Sequence, residues 1–326
     1  RGFSGNVVFI KGLLEKLNIE AQVIRHGKFK SAIEPLLYDK MSEANKEQTL
    51  AYVQSIWDNS VGDISDSRAL SIERLNEIAD GILAQNPDNA KEFKIVDELL
   101  YYDEFLAILA NEIDVDVIMK ENLISPGKYN NAKGEIAEGK RSKNKIAVIF
   151  AEGEIRQGEG GDNIIGSEKL ARTIRNVRLD ESIKAVVLRV NSPGGDGLAS
   201  DIILREVSLT KQEKPVVVSM GNLAASGGYY IACAADKIVA NPTTLTGSIG
   251  VFGVIPNFEG FFNNKMGVTF DGVKTNKNAE FISVTEPMTD YQKAVLKNEI
   301  ERFYTTFIGH VAEGRGMTTE NVDEIA

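Results

Sequence analysis

The sequence predicts an α/β fold built on a parallel sheet. Four short runs rich in Val and Ile carry that expectation: KIAVIF (145–150), KAVVLRV (184–190), PVVVSM (215–220) and KIVA (237–240). Helix-like stretches separate them, SEKLARTIRNVRL (167–179) and LASDIILREVSLTKQ (198–212). Continuous apolar runs of this kind read as parallel strands buried on both faces, with helical crossovers between them. The segment 145–240 is therefore expected to form one α/β unit.

Length and composition bound the rest. A chain of 326 residues exceeds what one core usually spans, so two domains are expected. A formal net charge of −10 argues against a nucleic-acid partner, whose binding surface should be basic. Cys233 is the one cysteine, so no intrachain disulfide can form, and that leaves the compartment open. No apolar run reaches the ~18 residues of a membrane span, and no signal peptide is recognisable. The chain starts at Arg1 rather than Met and reads as a fragment, so a membrane anchor would lie in a segment outside it.

Two features organise the chain. The stretch ISPGKYNNAKGEIAEGKRSKNK (124–145) is rich in Gly, Asn and Lys and reads as a mobile domain boundary. An internal repeat is the second. RALSIERLNEIA (68–79) matches RGMTTENVDEIA (315–326) at an offset of 247 residues, and the same offset pairs MSEAN (41–45) with MTDYQ (288–292). GFSG (2–5) pairs with GSIG (247–250) at an offset of 245. Three matches in the same order indicate duplication. The expected organisation is the back part of a first α/β repeat in 1–99, a connector in 100–144, and a second repeat in 145–326 that lacks its end.

Two turns are candidates for chemistry. VNSPGGDG (190–197) follows a strand and leads into a helix. It can be a plain βα turn, since Pro193 fixes one φ and Gly194 and Gly195 permit positive φ. It can be an anion loop at a helix N-terminus, although neither G-x-G-x-x-G nor a Walker lysine accompanies it. It can also aim the Gly195 N–H at developing negative charge, as an oxyanion hole does. NLAASGGYY (222–230) places Ser226 after the next strand, before a helix expected over 227–236. A serine beside two glycines can simply cap or pack a helix. Yet both turns should emerge at the carboxyl ends of neighbouring parallel strands, where open α/β sheets bind ligands. Ala224, Ala225, Gly227 and Gly228 would then let a substrate backbone approach.

A reactive hydroxyl needs a base. The two histidines are His26 and His310, and His310 lies in a helix-like run, FYTTFIGHVAEG, that reads as packing. Lysine is the other choice. It works only when neutral, which means lowering its pKa from ~10.4 towards 7 at a cost of about 4–5 kcal/mol, a shift that burial in an apolar cleft can supply. No cluster of His, Cys and Asp has metal-ligand spacing, and no cofactor is expected.

Four stretches together resemble the signal peptide peptidase A family, also called protease IV, in its long tandem-repeat form: HGKFKSAIEPL (26–36), NSPGG (191–195), MGNLAASGGYY (220–230) and NPTTLTGSIGVFG (241–253). The resemblance implies a fold related to Clp protease and crotonase and a serine–lysine endopeptidase that degrades remnant signal peptides and other apolar peptides through an acyl-enzyme. Ser226 matches the nucleophile and Lys30 the general base. Gly195 and Gly227 match the oxyanion-hole donors, and Ser248 matches the hydroxyl that orients the lysine. Lys28 and Lys277 are the rival lysines. Aligning 17–30 with 266–279 sets Lys30 opposite Ala279, so the second repeat keeps the serine and lacks the lysine. The resemblance further implies a homotetramer at the bacterial inner membrane, anchored through a segment absent from this soluble chain, with the catalytic part on the periplasmic side. GVFGVIPNFEGFF (250–262) can line the site or belong to the core. Two other readings stay open: a crotonase-like enzyme acting on acyl thioesters, which needs a carboxylate near the paired amides, and a non-catalytic scaffold for apolar peptides.

Overall fold

The computed structural model describes residues 2–130 and 142–326. Part of the boundary read at 124–145, residues 131–141, lies outside the described residues. The elements in chain order are α1 (Lys11–Lys16), β1 (Glu20–His26), α2 (Glu34–Leu37), α3 (Glu43–Arg68), α4 (Ile72–Asp80), α5 (Pro87–Glu92), α6 (Tyr102–Glu112) and α7 (Pro126–Asn130). They continue with β2 (Lys145–Glu152), β3 (Glu154–Arg156), β4 (Gly160–Gly161), β5 (Ile164–Gly166), α8 (Ser167–Leu179), β6 (Ile183–Ser192), α9 (Gly197–Lys211), β7 (Val216–Ala225) and α10 (Gly227–Tyr230). The last are β8 (Lys237–Val239), β9 (Leu245–Gly247), β10 (Val251–Asn257), α11 (Glu259–Phe261), α12 (Asp290–Arg315) and α13 (Thr319–Glu324).

The chain divides into two compact units, Arg1–Phe3 with Trp57–Lys143, and Ser4–Ile56 with Asn144–Ala326. The smaller unit is helical. Val61, Leu75, Ile78 and Ala110 are buried in it, and Trp57 Nε1 donates to Asn76 Oδ1 at 2.9 Å. The larger unit holds the sheets.

Its main sheet has the order β2-β6-β7-β8, with β9 added to the far end of β7, and every pairing is parallel. The Val- and Ile-rich runs form these strands as expected, and the two helix-like stretches form α8 and α9. Ile149, Val186, Leu188, Val216 and Val218 meet Leu170 and Ile174 of α8 and Ile203 and Val207 of α9 in one cluster.

Burial on both faces does not hold. The alternate residues of β2, Ile146, Val148 and Phe150, are 67%, 53% and 71% exposed, and Val239 of β8 is 57% exposed. The topology explains it. The strand order advances from β2 to β6 to β7 without reversing. Right-handed crossovers therefore put both helices on the same face, whereas covering both faces requires a reversal of strand order. The helix expected over 227–236 is also shorter than read, ending at Tyr230.

Two smaller sheets complete the unit. β1 pairs antiparallel with β10, from Glu20 opposite Asn257 to His26 opposite Val251. This ladder ties residues at the start of the chain to the segment after β9. β3, β5 and β4 form the other.

Ile203 is wholly buried between α9 and the sheet. Ile203→Ala should lower the unfolding free energy by ~2–5 kcal/mol in urea titrations, as cavity formation in a packed core does. A loss under ~1 kcal/mol would mean that this face of the sheet is loosely packed.

Candidate functional site

The site begins with two turns that lock together. β6 ends at Ser192, and the chain turns through Gly194 (φ 97°) and Gly195 (φ 154°) into α9. A Cβ on Gly195 would lie 2.0 Å from the carbonyl oxygen of Ile155, so backbone meets backbone there. The Ile155 amide donates to the Gly194 carbonyl at 2.8 Å, and the Asp196 amide donates to the Ile155 carbonyl at 2.8 Å. That bridge skips the Gly195 N–H. Ser192 Oγ accepts the Gly194 N–H at 3.1 Å, and Asp196 caps α9 by accepting the Ala199 N–H at 2.8 Å.

The second turn follows β7. Its Ser226 has φ 53° and ψ −121°, a conformation that costs a non-glycine residue ~1–3 kcal/mol. The backbone holds it there. Ser226 N–H donates to the Gly247 carbonyl at 2.9 Å, and the Ser226 carbonyl accepts the Tyr230 N–H at 2.8 Å. A Cβ on Gly194 would meet the Gly227 nitrogen at 2.5 Å, and one on Gly227 would meet Ser200 Oγ at 2.6 Å and the Gly195 nitrogen at 3.2 Å. A Cβ on Gly228 would meet the Ser192 carbonyl oxygen at 2.6 Å. Gly194, Gly227 and Gly228 thus admit the backbone of the neighbouring turn. The two turns bring the amides of Gly195 and Gly227 close together. Among the described residues, neither amide has a hydrogen-bond partner.

Lys30 reaches this place from the segment after β1. It is 5% exposed. Its Nζ lies 3.0 Å from Ser226 Oγ, 3.1 Å from the Ser248 carbonyl oxygen and 3.2 Å from Ser248 Oγ. Gly27 (φ 110°) and Gly250 give its stem room, since a Cβ on Gly250 would lie 3.1 Å from Lys30 Cδ. The β1–β10 ladder sets this approach, because Gly27 and Gly250 immediately follow and precede its last pair. Ser248 has φ 51°, which turns both its carbonyl and its hydroxyl to the amine. Only the hydroxyl was foreseen from sequence. Phe252 lies with its ring centre 5.8 Å from Nζ.

Burial lowers the pKa of Lys30 from its ordinary 10.5 to about 8. Three oxygens suit the neutral amine. Two N–H groups can donate to the carbonyl and hydroxyl of Ser248, and the lone pair can accept the Ser226 O–H. A neutral amine so placed can take the proton of that hydroxyl. Beside it lies a cavity of about 370 Å³ whose walls include Phe29, Lys30, Tyr52, Leu245, Ser248 and Ile249.

The other candidate bases lie elsewhere. Lys28 pairs with Glu47 at 3.8 Å on the surface, and Lys277 is exposed. His26 stacks on Tyr304 with ring centres 4.1 Å apart, and His310 packs edge-on to Tyr230 at 5.6 Å with Nε2 3.7 Å from Asp201. Cys233 is buried, and desolvation pushes its thiol up to about 12. Of 250–262, Phe252 stands near Lys30, and the rest of β10 serves the ladder with β1. Among the described residues, no group of His, Cys, Asp or Glu is placed to hold a metal ion, and no helix is long and apolar enough to cross a membrane.

Residues 1–116 and 208–326 match the model of Peptidase family S49. The chain belongs to that family. It is 38% identical over its whole length to "Protease 4" of Salmonella typhi, covering 53% of that protein. It is 36% identical to "Protease 4" of Haemophilus influenzae, covering 54%, and 33% identical to "Serine protease SPPA, chloroplastic" of Arabidopsis thaliana, covering 48%, again along all of this chain. The chain spans about half the length of these curated relatives. A solved structure, a single-substitution mutant of ClpP1 from Listeria monocytogenes, aligns over 54% of this chain and 77% of its own at 15% identity, with a TM-score of 0.32, too low to carry an argument.

A buried lysine is a stability cost. The unfolded chain holds the proton up to about pH 10.5 and the folded chain only up to about 8. Stability from this group is therefore lowest below pH 8 and rises as pH climbs to 10.5, by on the order of 3 kcal/mol. Lys30→Met should be more stable than the parent at pH 7, with the difference shrinking by pH 10.5. Equal pH dependence of the two melting curves would contradict the desolvated amine.

Proposed function

We propose that this S49-family chain carries the site of a serine endopeptidase that works by a Ser226–Lys30 dyad. The observation that carries the reading is the 3.0 Å contact between a buried lysine amine and a serine hydroxyl held on a strained turn. In the proposed reaction, neutral Lys30 takes the Ser226 proton as Oγ attacks a peptide carbonyl. The N–H groups of Gly195 and Gly227 stabilise the oxyanion, each contributing about 3–4 kcal/mol to the transition state. Lysine passes the proton to the leaving amine and then activates the water that opens the acyl-enzyme. Ser248 orients the amine through its two oxygens.

The substrates we infer are remnant signal peptides and other apolar peptides, a class supported by the apolar share of the cavity wall and by the names of the relatives. One relative, in Enterococcus faecium, bears the name "Putative signal peptide peptidase SppA" and is 32% identical over 60% of this chain. Assembly as a homotetramer at the periplasmic face of a bacterial inner membrane belongs to the same proposal. So does the duplication: α3 and α12 are both 26 residues long, and each is followed by a short helix capped by Ser71 or Thr318. The acyl-thioester reading is less favoured. Asp196, the carboxylate beside the paired amides in sequence, is engaged in capping α9 and in accepting from Gln157 Nε2 at 3.0 Å.

The test is hydrolysis of a fluorogenic apolar peptide. Ser226→Ala and Lys30→Ala should each lose on the order of 10³-fold or more in kcat/KM, because members of one catalytic unit fail together. Lys277→Ala should match the parent. In the parent, kcat/KM should rise with pH through about 8, as the Lys30 amine gives up its proton. Full activity in Lys30→Ala, or a rise governed by a group near pH 6, would overturn the assignment.

A further inference from the structure

The segment that carries Lys30 is anchored on a buried carboxylate for which the proposed reaction has no direct use. Glu34 is 1% exposed. Its Oε1 accepts the Ser42 hydroxyl at 2.6 Å, and its Oε2 accepts the Ser42 N–H at 3.1 Å and Asn45 Nδ2 at 2.8 Å. Arg25 lies with Nη1 3.8 Å from Glu34 Oε1, and the same nitrogen donates to the Lys30 carbonyl at 3.3 Å. The Glu34 N–H donates to the Ser31 carbonyl at 3.0 Å, and Gln48 Nε2 donates to Ser31 Oγ at 2.5 Å. Residues 30–34 are thus tied by Glu34 to the start of α3 on one side and to the end of β1 on the other.

A buried charge is expensive unless it is paired and hydrogen-bonded. Burial by itself would raise the Glu34 pKa, yet the Ser42 hydroxyl and amide, Asn45 and Arg25 outweigh it, and the group sits below the ordinary carboxylate range. The donors come from three places in the chain and point at one acceptor-only group, which is what a carboxylate supplies and a neutral amide does not. An apolar side chain of the same volume would leave the Ser42, Asn45 and Arg25 donors without that acceptor. The arrangement instead fixes the backbone from which Lys30 extends.

We propose that Glu34 is a positioning residue for the Lys30 amine, acting through Ser42 and Asn45 on one side and through Arg25 on the Lys30 carbonyl on the other. The inference rests on the dyad reading given above. Other charged groups near the lysine segment are Lys28 and Glu47, which pair with each other at 3.8 Å, and Glu47 lines the cavity. Replacing Glu34 by Gln keeps the volume but removes the charge that Arg25 faces and leaves one acceptor oxygen where there were two, so the hold on the segment weakens. Moving the amine out of its dry contact has two consequences. The hydroxyl loses its partner, and the lysine recovers solvation, so its proton becomes harder to remove.

The experiment is the pH profile of kcat and KM for the full chain, in parent, Glu34→Gln and Lys30→Ala, on one fluorogenic apolar peptide. Glu34→Gln should lose about 10²-fold in kcat at pH 8 with KM little changed, the scale expected when a reacting group is misplaced by about 1 Å. Its rising limb should move upward from about 8 towards 10.5, so the deficit narrows at high pH. A purely structural role would lower the activity by one constant factor at every pH, and that result, or a profile superimposed on the parent's, overturns the proposal while an inactive Lys30→Ala leaves the dyad standing. Full activity in Lys30→Ala removes both. If Glu34→Gln does not fold, Ser42→Ala removes the 2.6 Å bond and leaves the charge in place. It should shift the limb the same way by a smaller amount, and an unshifted limb in that variant overturns the proposal.

Discussion

One constraint governs the larger unit: an amine must stay out of water while touching a hydroxyl. Lys30 is held with almost no exposure, and desolvation lowers its pKa to about 8. Water around the amine would restore its ordinary pKa. The surroundings follow from that need. Gly27 and Gly250 let the stem pass, Phe252 and Ile249 stand close by, and Ser248 supplies two oxygens in place of solvent. The arrangement costs folding free energy, as residues placed for chemistry often do.

The fold answers the constraint with two devices. The first is the parallel sheet, whose neighbouring strands β6 and β7 deliver the Gly194–Gly195 turn and the Ser226 turn to the same edge. Their glycines let the turns interlock at backbone distance, which leaves two neighbouring amide N–H groups without a partner among the described residues. The second device is the β1–β10 ladder. It brings a lysine from near residue 30 to a serine nearly two hundred positions later, and its last pair ends where the lysine segment begins. The sheet and the ladder bring Ser226 and Lys30 into contact, and Glu34 ties down the short segment between β1 and α3.

Much of this was legible in the sequence because its signals are local. The Val- and Ile-rich runs, the Gly-Gly turn and the small residues around Ser226 each state a backbone requirement. The resemblance of four stretches then pointed to Lys30, Ser226 and Ser248, and the structure brings both serine hydroxyls within 3.2 Å of the lysine amine. What sequence did not reveal depends on partners far along the chain. The open sheet face at Ile146, Val148 and Phe150 follows from strand order, which a run of apolar residues does not encode. Gly227 and Gly228 also pack on the Ser192, Gly194 and Gly195 backbone, neighbours that a run of small residues does not name. Glu34 sat inside a quoted stretch, yet nothing in its spacing marks a carboxylate whose donors are Ser42, Asn45 and Arg25. A buried acid needs its partners in view before it can be read.

The state of one amine decides the account. Nitrogen NMR of the lysine side chains, followed from pH 6 to pH 11, reads it without any substrate. One signal, absent from a chain in which Lys30 is replaced, should titrate near pH 8. A spectrum in which the Lys30 amine keeps its proton beyond pH 10 would contradict the account.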